Sequence, residues 1–251
     1  MSSESPTDTP SWIRVFHPAP DARIRLVCCP YLGASATAFS GLSARFPPDL
    51  EVLSVQYPGR QGNRTEPPVD DVMVLAERIR DELRAWSDKP LAVFGHSMGA
   101  AVAYEVARGL DRQGAPPVRL FVSGRPSPSA GLGLTLESDE ALAEEVRKLG
   151  GVSPKLLGRP AFREMILSVA RNDYRANASY TRPPGDALSC PVTFLLSDAD
   201  PYVGPDAALA WKSHTTGDFR IAEFPGDHFF WAARPEGLVA EITADLARDA
   251  A

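Results

Sequence analysis

The chain has 251 residues, 44% hydrophobic and 23% charged, with 32 acidic against 26 basic side chains and a net charge of −6. That composition supports one sizeable core near the upper size of a single domain, and it excludes a disordered tail, a coiled coil or a collagen-like rod. Proteins that live on nucleic acid usually carry a basic excess, so no nucleic-acid partner is expected.

Residues 1–11, rich in Ser, Thr and Pro, read as a flexible arm, and residues 12–251 as one domain. The N-terminal segment has neither the basic start nor the apolar run of a secretory leader. No stretch approaches the roughly 18 apolar residues that a membrane helix needs. Cys28 and Cys29 are adjacent and Cys190 stands alone, which is no disulfide framework, and no Cys or His pair has zinc-site spacing. The expectation is a cytoplasmic protein with reduced thiols, no membrane partner, no metal and no cofactor.

From Ile24 the chain alternates. Short apolar runs at Ile24–Cys29, Glu51–Gln56, Leu91–Phe94 and Val118–Val122 read as strands. Between them, Ala36–Phe46, Val69–Trp86 and Ser97–Leu110 carry apolar residues at helical spacing, with Asp70 and Asp71 near the start of the second. After Ser123 the rhythm breaks. Residues 124–189 contain no convincing strand but two helical stretches, about Ser138–Leu149 and Pro160–Ala178. Strands resume at Val192–Leu196 and Phe219–Phe224, with a helix from Pro205 between them and a last one from Pro235. Such alternation predicts an α/β fold, a mostly parallel doubly wound sheet, with 124–189 inserted as a helical cap over one end.

Gly95-His-Ser-Met-Gly99 matches G-x-S-x-G between an apolar strand and a helix. The turn is so sharp that side chains two residues either side of the serine would clash, hence two glycines. Ser97 then stands at a helix N-terminus, where the Met98 amide points at the oxygen that becomes negative during acyl transfer. A nucleophilic serine needs a base, and the base an orienting acid. His228 follows the last strand, where a doubly wound sheet builds its site. The other histidines fit less well: His17 lies in the N-terminal segment, His96 points away from the serine by alternation, and His214 lies on a polar stretch that reads as surface. Asp198 and Asp200 follow the Val192–Leu196 strand, and both are candidates for the acid. The loop Pro30–Ser35 is the expected source of a second oxyanion donor, with Leu32 N–H chosen and Gly33 the alternative.

Four stretches together resemble the type II thioesterases of modular polyketide and nonribosomal peptide synthases, a family of the α/β-hydrolase fold. They are Cys29-Pro-Tyr-Leu-Gly-Ala-Ser-Ala36, Val55-Gln-Tyr-Pro-Gly-Arg60, Val93-Phe-Gly-His-Ser-Met-Gly99 and Gly226-Asp-His-Phe-Phe230. The elbow is common to many hydrolases; the Gln-Tyr-Pro-Gly-Arg stretch is far more restricted. The family's acid follows a G-x-x-D pattern, which selects Asp200 here, with Ser197 in place of the usual Gly. Ala34 stands where the family's oxyanion loop has a second glycine. The resemblance implies a serine thioesterase, with Ser97, His228 and Asp200 as triad, that strips aberrant or stalled acyl groups from the phosphopantetheine arm of carrier domains. It implies a channel under the insertion, to which Phe162, Met165 and Leu167 are apolar candidates. Arg60 and Arg64, after the second strand, are candidates for docking the acidic carrier. The rival readings are an esterase or peptidase of the same fold, a cyclising terminal thioesterase, which the short polar N-terminus and single-domain length disfavour, and a non-catalytic hydrolase-like binding protein.

Overall fold

The computed structural model describes residues 11–132, 138–148, 154–182, 185 and 187–249. The arm predicted at 1–11 falls almost wholly outside them. In chain order the elements are β1 (Ile13–Arg14), β2 (Ile24–Cys29), α1 (Ser40–Ser43), β3 (Leu50–Val55), α2 (Val72–Leu83), β4 (Leu91–His96), α3 (Met98–Arg112), β5 (Leu120–Ser123), α4 (Asp139–Lys148), α5 (Pro154–Leu157), α6 (Pro160–Ser179), β6 (Val192–Ser197), α7 (Pro205–Leu209), β7 (Phe219–Phe224), α8 (Phe230–Ala233) and α9 (Pro235–Asp249). The chain is of the α/β class, with a sheet ordered β1-β3-β2-β4-β5-β6-β7. Only β1 is antiparallel among the described strands.

The strands read as continuous apolar runs because both faces of the sheet are covered. On β2, Val27 and Cys29 join one core cluster with α2 and α3, while Leu26 and Cys28 join the other with α9. Val93 against Phe94, Val122 against Phe121 and Phe194 against Leu195 repeat that period of two. Alanines make α3 narrow enough to lie buried between the sheet and α2. Asp71 caps α2 by accepting from the Met73 and Val74 amides at 2.6 and 3.2 Å. One expectation shifts and one element was not expected. The helix predicted at Ala36–Phe46 is a 3₁₀ turn, Ala36–Phe39, followed by the single turn of α1. The two-residue β1 is too short to announce itself by pattern and is held through its pairing with Val55 and Ser54.

Strand order reverses between β2 and β4: the chain runs from β2 outward to β3, then returns to the other side of β2. The loops after β2 and β4 therefore splay apart at their carboxyl ends and leave a crevice, as a doubly wound sheet does at its switch point. Between β5 and β6 the described residues hold α4, α5 and α6 and no strand. These helices have a small apolar cluster of their own, Leu142, Ala143, Val146, Leu157, Leu167, Ala170 and Tyr174, on which Leu32 of the β2 loop packs.

Candidate active site

Ser97 links β4 to α3 with φ 54° and ψ −124°, the one non-glycine residue with positive φ among the described residues. Its amide donates to the Ser123 carbonyl at 2.9 Å, which fixes the turn to the end of β5. A Cβ on Gly95 would fall on the Gly99 carbonyl, and one on Gly99 would fall on the Cys29 carbonyl. Both glycines are thus required by close approach, and the strained serine is held by packing around it. Met98 opens α3, so its N–H is among the first-turn amides with no intrahelical acceptor.

The loops after β6 and β7 are stitched to each other. Ser197 Oγ donates to the Gly226 and Asp227 carbonyls at 3.0 and 2.7 Å, a link that glycine at this position cannot make. His228 is buried, and its Nδ1 lies 2.9 Å from Asp200 Oδ2; the other Asp200 oxygen accepts from the Tyr202 amide at 2.9 Å. Asp198 is exposed and accepts instead from the Gly226 amide at 2.9 Å. With Asp200 as acceptor, Nδ1 carries the proton and Nε2 is left as the basic nitrogen. That Nε2 has no hydrogen-bond partner among the described residues, and His228 shares cavity walls with Ser97.

His96 does turn away from Ser97, yet it is no bystander. It is fully buried, its ring centroid lies 4.6 Å from that of His228, and its Nδ1 meets Ser123 Oγ at 2.8 Å. Burial, and then the charge of His228, push its pKa well below the usual imidazole value, so a neutral ring packs against the base. Gly124, at φ 64°, leaves room for this pair: a Cβ there would stand 2.6 Å from His96 and 2.8 Å from His228. His214 is not at the surface. It is buried between Tyr104 Oη at 3.4 Å and Ser129 Oγ at 3.2 Å, with its pKa lowered by burial.

The Gln-Tyr-Pro-Gly-Arg stretch has a structural reason to exist. Gln56 accepts from the Ala36 amide at 3.1 Å, Tyr57 donates to the Pro30 carbonyl at 3.1 Å, and Arg60 donates to the Ala34 carbonyl at 2.7 Å. Three of its side chains thus brace the loop after β2. Arg60 is buried and paired with Asp173 of α6, so it is not available to dock a partner, which corrects the sequence expectation. Its charge is satisfied inside the protein by a carboxylate 113 residues away in sequence, a partner that no local pattern announces. Arg64 is exposed, with Nη2 3.2 Å from Met165 Sδ. Asp173, missed in the sequence, accepts from the Gly33 amide at 2.7 Å. The alternative oxyanion donor is thereby committed, while Leu32 borders the same cavities as Ser97. The available signal was an aspartate on the apolar stripe of a helix, in step with Ile166 and Ala170.

Two connected hollows meet at Leu32, Ser97 and His228. One, about 40 Å³, runs under Ile166 and Ala170 of α6 and beside Phe229; the other, about 180 Å³, opens toward Arg125, Glu145 and Tyr202. Of the apolar channel candidates, Leu167 is buried in the insertion's own cluster, and Phe162 and Met165 are each 42% exposed. Ile166 and Ala170 line the cavity in their place. A larger hollow of about 390 Å³, near Ile24, Leu50 and Val118, lies at the amino ends of the strands, away from these groups. Among the described residues no three His, Cys, Asp or Glu side chains are grouped to hold a metal ion, and no helix is long and apolar enough to cross a membrane. A serine, an imidazole oriented by a carboxylate, and amides beside a partly apolar cavity suit acyl transfer.

The family model described as thioesterase domain matches residues 24–246. A probable cadicidin biosynthesis thioesterase of Streptomyces griseus is 40% identical over 242 residues, covering 96% of this chain and 67% of that one. Thioesterase PikA5 of Streptomyces venezuelae is also 40% identical, over 89% of this chain and 81% of its own. Among solved structures, the type II thioesterase BorB from the borrelidin biosynthetic cluster superposes with a TM-score of 0.85 at 40% identity, over 95% of this chain and 98% of that one.

Proposed function

The chain belongs to the thioesterase domain family, and from that premise we propose that it is a type II thioesterase which releases acyl groups from the phosphopantetheine arm of carrier domains in polyketide or nonribosomal peptide assembly. The observation that carries this reading is the Asp200–His228 pair at 2.9 Å beside a strained Ser97, in a chain whose α4, α5 and α6 are inserted between β5 and β6. The relatives named above are thioesterases of biosynthetic clusters, which supports the substrate class.

In the proposed reaction, His228 Nε2 takes the Ser97 proton as Oγ attacks the thioester carbonyl carbon. The oxyanion is held by the Met98 and Leu32 amides, each worth roughly 10²–10³ in rate. Collapse of the tetrahedral adduct breaks the C–S bond, and the departing pantetheine sulfur receives the proton from His228. A thiol leaves more readily than an amine because its pKa is near ~8.5. Water then attacks the acyl-enzyme, losing its proton to His228, and the free acid departs with Ser97 restored. Asp200 keeps the imidazole oriented and stabilises its charge throughout. Neither step calls for a metal or cofactor. The unpaired state of Cys28, Cys29 and Cys190, all buried, supports a cytoplasmic setting.

The test is mass spectrometry of carrier proteins loaded with a series of acyl groups, before and after incubation with the enzyme. Loss of the acyl mass with retention of the arm, absent for Ser97→Ala, is expected. Intact acyl carriers alongside rapid cleavage of simple oxygen esters or peptides would point to another hydrolase. Failure of a fluorophosphonate to label Ser97 would point to a non-catalytic binding protein.

A further inference from the structure

Asp173 sits on α6 within the lid, yet its partners lie outside it. The side chain is fully buried. Oδ2 accepts from the Gly33 amide at 2.7 Å and from Arg60 Nη1 at 2.8 Å, and Oδ1 accepts from Arg60 Nη2 at 2.5 Å. Arg60 Nη1 also donates to the Ala34 carbonyl at 2.7 Å. One carboxylate–guanidinium pair thus holds an N–H and a C=O of consecutive residues in the loop after β2. That loop is a tight turn: Ala34 N–H donates to the Tyr31 carbonyl at 3.0 Å, and Gly33 takes φ 78° at the third position. Leu32 is the second residue of this turn, and its peptide with Gly33 is the one that Asp173 grips.

A buried ion pair is weak evidence for stability, because desolvation offsets much of the attraction. What such a pair does supply is direction. Here it fixes the peptide plane next to the proposed oxyanion donor, and Leu32's side chain packs on the lid's apolar cluster, so the loop is gripped by the lid from both backbone and side chain.

We propose that Asp173 is a positioning residue for thioester hydrolysis: from the lid it sets the oxyanion loop so that the Leu32 amide is aimed at the developing oxyanion. The inference rests on the reading of this site as a thioesterase with Leu32 as donor. The lid is then part of the catalytic machinery, and loosening its hold on the loop weakens binding of the tetrahedral state rather than binding of thioester or product.

The test compares wild type, Asp173→Asn and Arg60→Lys in the full chain. Three quantities are read: kcat and KM for a short neutral acyl-N-acetylcysteamine thioester, Ki for an alkyl boronic acid, and Kd for the free carboxylic acid product. The boronate forms a tetrahedral adduct on Ser97 that occupies the oxyanion site; the acid does not. For Asp173→Asn, kcat should fall ~10–100-fold, part of what a whole donor is worth. Boronate Ki should rise by a similar factor, while KM and product Kd change little. Arg60→Lys keeps the charge on Asp173 but loses the fork that spans two acceptors, and it should show the same pattern more weakly; it also serves should Asp173→Asn fail to fold. Unchanged boronate affinity in the folded variants, or equal weakening of boronate and product, overturns the positioning role. Absence of thioester hydrolysis in the wild type itself would instead sink the thioesterase reading.

Discussion

The loops at the strand ends and the lid inserted after β5 reach the same cavity on different physical terms. Ser97, Asp200 and His228 stand just after the carboxyl ends of β4, β6 and β7, strands whose side chains alternate between two large apolar clusters. A slip by one residue would turn every one of those side chains to the wrong face, so the strand ends are held in register. The lid has a small apolar cluster of its own; the end of α6 joins the main core through Ala176 and Tyr180, and directional polar bonds make the rest of the connection to the sheet body. Asp173 holds the β2 loop, Asn172 donates to the Val69 carbonyl at 2.8 Å, and Tyr180 donates to Glu105 of α3 at 2.7 Å. Non-directional burial fixes where the proposed catalytic groups are, and directional bonds set how most of the cover meets them. Changes on the strand ends should therefore cost chemistry outright, and changes in the lid should cost alignment or access.

The largest effect tests that division first. Ser97→Ala and His228→Ala should each lower kcat/KM by roughly 10⁵–10⁶, and the double variant should be little worse than either. Thermal unfolding of Ser97→Ala should stay close to wild type, because a small side chain is replaced by a smaller one. Substantial residual turnover in either single variant would break the assignment of the chemistry to the strand ends.

Next comes the acid. Asp200→Asn should lose up to roughly 10⁴ in kcat, because the imidazolium loses its charged partner. Asp198→Asn should stay within a few-fold, since Asp198 is exposed and only supports the Gly226 amide. The reverse ranking would show that the contact at His228 is not the one that works.

Hydrogen exchange sharpens the contrast in dynamics. Amides of α4 and α6 should exchange well ahead of those in β4 and β5, because a lid with a small core opens at lower free energy than the sheet. Equal protection would mean that the polar bolts make the cover as rigid as the strands.

The sheet side carries a pH liability of its own. His96 is held neutral by burial beneath His228, its pKa well below 6.5. The unfolded chain takes up a proton at this residue below about 6.5, and the folded chain does not. Its contribution to stability is complete above that pH and is lost as the pH falls toward the depressed folded value, by up to about 1.4 kcal/mol per pH unit. Urea unfolding at pH 7.5 and 5.5 should show this slope, reduced in His96→Gln. Identical slopes in the two proteins would exclude His96 as its source.

The same contrast explains what could be read from residues alone. Continuous apolar runs announce strands buried on both faces, and G-x-S-x-G between a strand and a helix announces a strained serine, so the sheet and the strand-end groups were legible. Interactions between polar residues distant in sequence were not. Arg60 looks like a free surface charge until Asp173 is brought beside it. His214 lies in the polar run Lys212-Ser-His-Thr-Thr216, and its burial depends on Tyr104 and Ser129. Asp173 interrupts an apolar stripe, but nothing local says that its partner is a backbone amide 140 residues away.

The smallest effect expected lies at the outer edge of the lid. With Arg60 buried, Arg64 is the exposed basic group left of the docking pair, and it lies on the lid side, against Met165 of α6. The chain is itself at −6, so long-range attraction to an anionic partner is absent, and any charge contact with the proposed carrier must act within a Debye length of ~8 Å. A single exposed pair is worth about 0.2–1 kcal/mol, so Arg64→Glu should raise KM for an acyl-carrier protein only a few-fold, more at low salt. Hydrolysis of the acyl-N-acetylcysteamine, which has no protein to dock, should not change. Equal losses on both substrates would mean that Arg64 acts through α6 on the cavity, and the outer face of the lid would then belong with the alignment machinery that Asp173 represents.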